Sequence, residues 1–157
     1  MREIKFRGKR VDNGEWVEGN LLKLETDFFS DSNDTGFMWY IIPTKTNGSY
    51  ATKVNLLRWI NPCYEVDPAT VGQFGLVKDD KENEVWEGDI LLVKCDPCME
   101  DHIVEVKRDG ATLFVEVCGM DYDITALNWA LTIWGNYGSW VEVTGNVHDN
   151  PELVGRE

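Results

Sequence analysis

Cys95-Asp96-Pro97-Cys98 is the sharpest chemical pattern in this 157-residue chain. Two thiolates separated by two residues can make half of a tetrahedral zinc site, and His102 follows within reach as a third ligand. Cys63 or Cys118 would have to complete the set, since no second paired knuckle is present. The simpler reading is a proline-containing turn with reduced thiols, because a free cysteine commonly behaves as a small buried hydrophobe. A lone C-x-x-C outside a βαβ pattern is poor evidence of redox chemistry. Zinc at Cys95, Cys98 and His102 is thus the weaker alternative, and no metal or cofactor is expected.

Hydrolytic chemistry finds less support still. The chain has two histidines, His102 and His148, and neither accompanies a G-x-S-x-G or similar nucleophile setting. Asp121 and Asp123 are close enough in sequence to pair or to hold a cation, but no glycine-spaced calcium loop surrounds them, so a solvated acidic loop is the expectation. Neither a phosphate-cradling glycine loop nor a dinucleotide fingerprint is present. The expected protein is not an enzyme.

Binding has better candidates. Trp129, Trp134, Tyr137 and Trp140 crowd one segment. Such side chains can stack on bases or sugars, yet in a small β fold they more often pack in the core or at a subunit interface. Five basic residues, Arg2, Lys5, Arg7, Lys9 and Arg10, fall within the first ten. Ile4 and Phe6 alternate with Lys5 and Arg7, which predicts a strand with one cationic face. Charges that guard an edge strand explain this without a ligand. The alternative is a nucleic-acid-binding barrel built on that strand. The formal charge of −13, from 28 acidic and 15 basic residues, opposes it. Binding to phosphates relies on lysine and arginine displacing counterions, so a basic protein is the more natural partner.

The elements that must position these residues are mostly strands. Ile4–Arg10 and Trp16–Leu24 read as strands joined by the Asp12-Asn13-Gly14 turn. Thr26–Gly36 reads as a polar loop, and Phe37–Thr44 with Ser49–Trp59 as a hairpin across Asn47-Gly48. Val66–Lys94 organises the rest. Asp67 before Pro68 reads as a turn residue or N-cap, and Lys78–Glu84 as a solvated hairpin tip. Val85-Trp86 begins a strand that Glu87-Gly88-Asp89 kinks and Ile90–Val93 continues. Ile90–Lys94 is expected to pair with His102–Arg108 and with Thr112–Val117, the latter two joined at Asp109-Gly110. Ile124–Trp134 reads as a short helix, and Trp140–Thr144 as a last strand that Gly145–Pro151 caps.

An echo links Glu15-Trp16-Val17-Glu18-Gly19-Asn20-Leu21-Leu22 with Val85-Trp86-Glu87-Gly88-Asp89-Ile90-Leu91-Leu92, as two related β units, or a chance match of short stretches, would give. The expected fold is mainly β, in barrel-like antiparallel units with at most one or two short helices. Its length fits one domain, with subdomains at 1–65 and 66–157. An apolar fraction of 43% with seven tryptophans suffices for a core without metal or disulfide. With no leader-like start and no long apolar run, the cytoplasm is the expected compartment, and no membrane contact is expected.

Three blocks resemble the YopX-like family of bacteriophage and prophage proteins. They are Arg2–Lys9 with Asn13–Val17, Val71–Phe74 through Glu84–Ile90, and Val143–Leu153. Two departures stand out. Members usually carry Thr-Gly-Leu where this chain has Gly75-Leu76-Val77, and Asn-Gly where it has Lys81-Glu82. The resemblance implies a single domain over 1–157, a mostly-β fold, a homo-oligomer, and a bacterial host cytoplasm. It implies no activity and no catalytic residue.

Overall fold

The computed structural model describes residues 4–25, 36–44, 62–95, 100–110, 112–116, 124–126 and 140–154. Among them are eleven strands and two short 3-10 turns, and every strand pair is antiparallel. The chain falls into two units, Met1–Gln73 and Phe74–Glu157.

In the first unit, β1 (Phe6–Lys9), β2 (Trp16–Glu25), β3 (Phe37–Pro43) and β4 (Tyr64–Glu65) lie in the order β4-β3-β2-β1. The start of β5 (Gly72–Lys78) adds beyond β1, through Gln73 opposite Phe6 and Gly72 opposite Arg7. The predicted Asn13-Gly14 turn joins β1 to β2, with Gly14 at φ +73° in the left-handed region glycine tolerates. Alternation sends Val17 and Leu21 of β2, Trp39 and Ile41 of β3 and Phe6 of β1 to one face. There they meet Val66 and Val71 in the first core. Gly8 lies on the same face, where an added Cβ would stand 3.1 Å from the Val66 Cβ. Asp67 caps the 3-10 turn Pro68–Thr70 as predicted, accepting from the Ala69 N–H at 2.9 Å. The Thr70 hydroxyl accepts from the Lys9 N–H at 2.8 Å, which ties that turn to β1.

In the second unit, the end of β5 pairs with β6 (Glu84–Trp86). The remaining strands are β7 (Asp89–Cys95), β8 (Glu100–Asp109), β9 (Thr112–Glu116), β10 (Ile124–Ala126) and β11 (Trp140–Asn146). They form a five-stranded sheet in the order β10-β9-β8-β7-β11. Its core face carries Leu91, Val93, Val104, Val106, Val115 and Val141, and Val85 of β6 packs against them. Each such side chain contributes about 1.5–3 kcal/mol by leaving water. These runs of β-branched residues suit a pleated surface.

Several expectations need correction. Among the described residues neither sheet closes into a barrel, because the first and last strands in each order are not paired with one another. Strand β1 is internal rather than an edge, since β2 and β5 flank it. Ile124–Ala126 is a strand, not the start of a helix: two β-branched residues sit in register with Glu116 and Val115 of β9. The rest of that segment lies outside the described residues, as do Ser49–Trp59 and most of Thr26–Gly36. The described partners of β3 are β2 and β4. Strand β9 pairs with β8 rather than β7, whose second neighbour is β11.

The two echoed glycines have different causes. Gly19 lies inside β2, where a Cβ would stand 2.0 Å from the Ile42 carbonyl oxygen. Gly88 sits at φ +82° in the turn that ends β6 and starts β7. The repeated letters do not mark equivalent positions in two units.

Candidate functional site

The second unit contains a buried polar corner at the start of β7. Strand β6 ends at Trp86, and the chain turns through Glu87 and Gly88 into β7. The left-handed Gly88 lets its N–H donate to the Val106 carbonyl at 2.8 Å while its own carbonyl accepts from Val147 at 2.9 Å. Asp89 follows, 1% exposed. Its carboxylate accepts from the Trp86 N–H at 2.8 Å and from the Asn146 side-chain amide at 3.3 Å. Asn146 is itself buried, and its side-chain oxygen accepts from the His148 N–H at 3.0 Å. Its backbone carbonyl accepts from Asn150 at 2.7 Å. A buried carboxylate is costly unless bonded, and Asp89 meets that demand by accepting from the last residue of β6 and from the last residue of β11.

A second carboxylate centre lies at the turn between β5 and β6. Asp79 is 6% exposed, although the sequence predicts a solvated tip. One oxygen accepts from the Lys81 and Asn83 N–H groups at 2.9 and 2.7 Å. The other accepts from the Asn83 side chain and the Val143 N–H, both at 2.9 Å. Burial pushes the Asp79 carboxyl up. The donors from Val143, Asn83 and Lys81 outweigh it and hold the group below its ordinary value. Beside it, Asp80 accepts from the Val141 N–H at 2.6 Å, and Lys81 pairs with Glu142.

The cationic strand of the first unit is stacked on aromatic rings. The Arg7 guanidinium lies 4.8 Å, and the Lys9 ammonium 5.5 Å, from the ring centre of Trp16. Arg10 lies 4.0 Å from the Tyr64 ring centre and donates to Asp12 at 2.9 Å. That hydrogen bond, with the attraction of the pair, lowers the Asp12 carboxyl and raises the Arg10 guanidinium. Stacking over an aromatic face is favourable for such cations. Lys5, on the same side of β1, is half-buried.

The predicted zinc ligands are only partly placed. Cys98 and Cys118 lie outside the described residues, as do Asp121, Asp123, Trp129, Trp134 and Tyr137. Cys95 ends β7 opposite Glu100, and the half-buried His102 stands opposite Val93. Cys63 is a free thiol in the first unit, and burial pushes its pKa up, away from the thiolate a metal needs. Among the described residues no three His, Cys, Asp or Glu side chains gather as a metal-binding group. Trp140 is half-buried on β11, with Lys81 and Lys94 at 5.1 and 5.3 Å from its ring centre. Sequence reasoning read Glu87-Gly88-Asp89 as a kink within one strand. The left-handed Gly88 instead reverses the backbone there, between β6 and β7, which belong to different sheets. Sequence reasoning also missed Asp79, Asp80 and Asn146. Their signal was the Asp-Asp-x-x-Asn run and the Gly-Asn pair after a strand, which name a turn but not its distant partner.

These features define an all-antiparallel β protein whose buried carboxylates hold backbone amides rather than a visible ligand set. The "YopX protein" family model matches residues 5–155, and the chain belongs to that family. Two solved structures share the fold. Protein EF1440 from Enterococcus faecalis is 24% identical, with 98% of this chain and 99% of that chain covered and a TM-score of 0.52. Protein yopX from Bacillus subtilis is 17% identical, with 98% of each chain covered and the same TM-score. No curated protein matches the chain. No described helix is long and apolar enough to cross a membrane.

Proposed function

We propose that this chain is a non-enzymatic, self-associating binding protein of phage or prophage origin that acts in the host cytoplasm on a basic protein. The observation that carries the reading is the use of the two buried carboxylates. Asp79 accepts backbone N–H groups from its own turn and from Val143 on β11, and Asp89 accepts from the nearby Trp86 N–H and from the Asn146 side-chain amide on β11, so these buried acids serve the fold. A catalytic acid or base needs reach to a substrate proton. The charge of −13 favours a basic partner and speeds its approach at low salt.

Sedimentation velocity over a hundredfold concentration range tests the self-association. A sedimentation coefficient that rises with concentration supports it, and a monomer throughout overturns it. The rival reading is nucleic-acid binding by the β1 face, which draws on Arg7 and Lys9 beside Trp16. Salt-sensitive mobility shifts of single- or double-stranded DNA would favour that rival.

A further inference from the structure

Strand β11 is the last strand in its sheet, with β7 as its only strand neighbour among the described residues. An edge strand presents unpaired N–H and C=O groups that template pairing with another chain. Here the Asp79–Asn83 turn occupies those groups. The Val141 N–H donates to the Asp80 carboxylate at 2.6 Å, and the Val141 carbonyl accepts from the Asp80 N–H at 3.1 Å. Two residues on, the Val143 N–H donates to Asp79 at 2.9 Å. The spacing is that of a neighbouring strand's bonds, with two carboxylates standing in for carbonyl oxygens. Between them Lys81 pairs with Glu142 and stands over Trp140, which fastens the turn from the sheet's outer face.

The turn is held in shape mainly by its own bonds. Asp79 donates to the Asn83 carbonyl at 2.9 Å, and Glu82, at φ +67°, donates to Asp79 at 3.1 Å. Glu82 is an L residue in a region that favours glycine, so the turn carries backbone strain. A strained hairpin tip fastened by side chains can lift while the strands behind it stay paired.

We propose that the Asp79–Asn83 turn is an autoinhibitory guard over β11, and that the strand admitted when it lifts is β11 of a second copy. Edge pairing works through the main chain, so a lifted copy offers an edge of the same kind. A two-fold axis brings two such edges together antiparallel. The core residues Val141 and Val143 then continue across the new pair on one face. The guard does not rest on wild-type self-association, whose extent is the baseline for every comparison below.

The test compares the wild type with Asp79→Ala/Asp80→Ala, which removes the acceptors of both amides, by amide exchange and sedimentation velocity on the same samples. In dilute solution the Val141 and Val143 amides of the variant should exchange about tenfold faster or more, as expected for lost bonds to charged acceptors. As concentration rises, the variant should sediment faster than the wild type, and those two amides should regain protection. Open amides with wild-type sedimentation at every concentration would overturn the guard. So would amides that never open. If circular dichroism shows the double variant unfolded, Asp80→Ala alone keeps all four Asp79 bonds. The same readouts then apply at Val141.

Discussion

Replacing Asp79 by Asn changes one oxygen into an NH2 group at nearly constant shape. Each Asp79 oxygen accepts two hydrogen bonds, so either orientation of the amide sets a donor against two donors. In one orientation Val143 and the Asn83 side chain lose their acceptor; in the other the Lys81 and Asn83 amides do. A bond to a charged acceptor contributes about 1.5–3 kcal/mol. Two lost bonds are partly offset, because the neutral amide is easier to bury than a carboxylate. The net loss should be about 3 kcal/mol, which lowers the Tm of a chain this size by about 6–12 °C. Urea unfolding at pH 7 followed by tryptophan fluorescence measures it. The gap should also depend on pH. Asp79 titrates below its unfolded value of about 3.9, so its contribution is complete above that value and fades as pH falls through the folded one. A loss under 1 kcal/mol at pH 7, or a gap unchanged from pH 7 to 3, would refute the assignment.

Other substitutions test the backbone. Glu82→Gly should raise stability by about 0.5–1 kcal/mol, because it relieves an L residue at φ +67°; a lower midpoint in the same assay would count against the turn geometry. Gly88→Ala, at φ +82°, should lower stability by about 1–2 kcal/mol. Gly19→Ala forces β3 away from a Cβ placed 2.0 Å from the Ile42 oxygen, and should cost more than Gly88→Ala. Asn146→Ala removes a partner of the buried Asp89 and should cost about 1–3 kcal/mol, read as an earlier thermal midpoint.

The sequence made some of this legible. Asn13-Gly14 and Asp109-Gly110 announced their turns because local backbone preference dictates them, and both glycines take positive φ. Asp67 before Pro68 announced its cap for the same reason. Long-range pairing was harder to read. The alternation of Lys5 and Arg7 with Phe6 gave β1 its faces but could not say that β5, more than sixty residues on, would flank it. The Lys78–Glu84 charge run hid the buried Asp79 because one of its four donors, the Val143 N–H, sits on β11, sixty-four residues away. The two positions read as departures coincide with unusual backbone, since Leu76 and Glu82 fall at φ +60° and +67°, in the left-handed region that favours glycine. In Ile124–Ala126 β-branched residues fit either element, and pairing with β9 decided the matter.

The most direct test of the binding reading is native mass spectrometry of the intact chain, with and without a chelator. Multimers that carry no metal, with the same masses in both conditions, are the predicted result. A monomer that holds one zinc ion per chain and loses it to the chelator would contradict the reading, and would return attention to Cys95, Cys98 and His102.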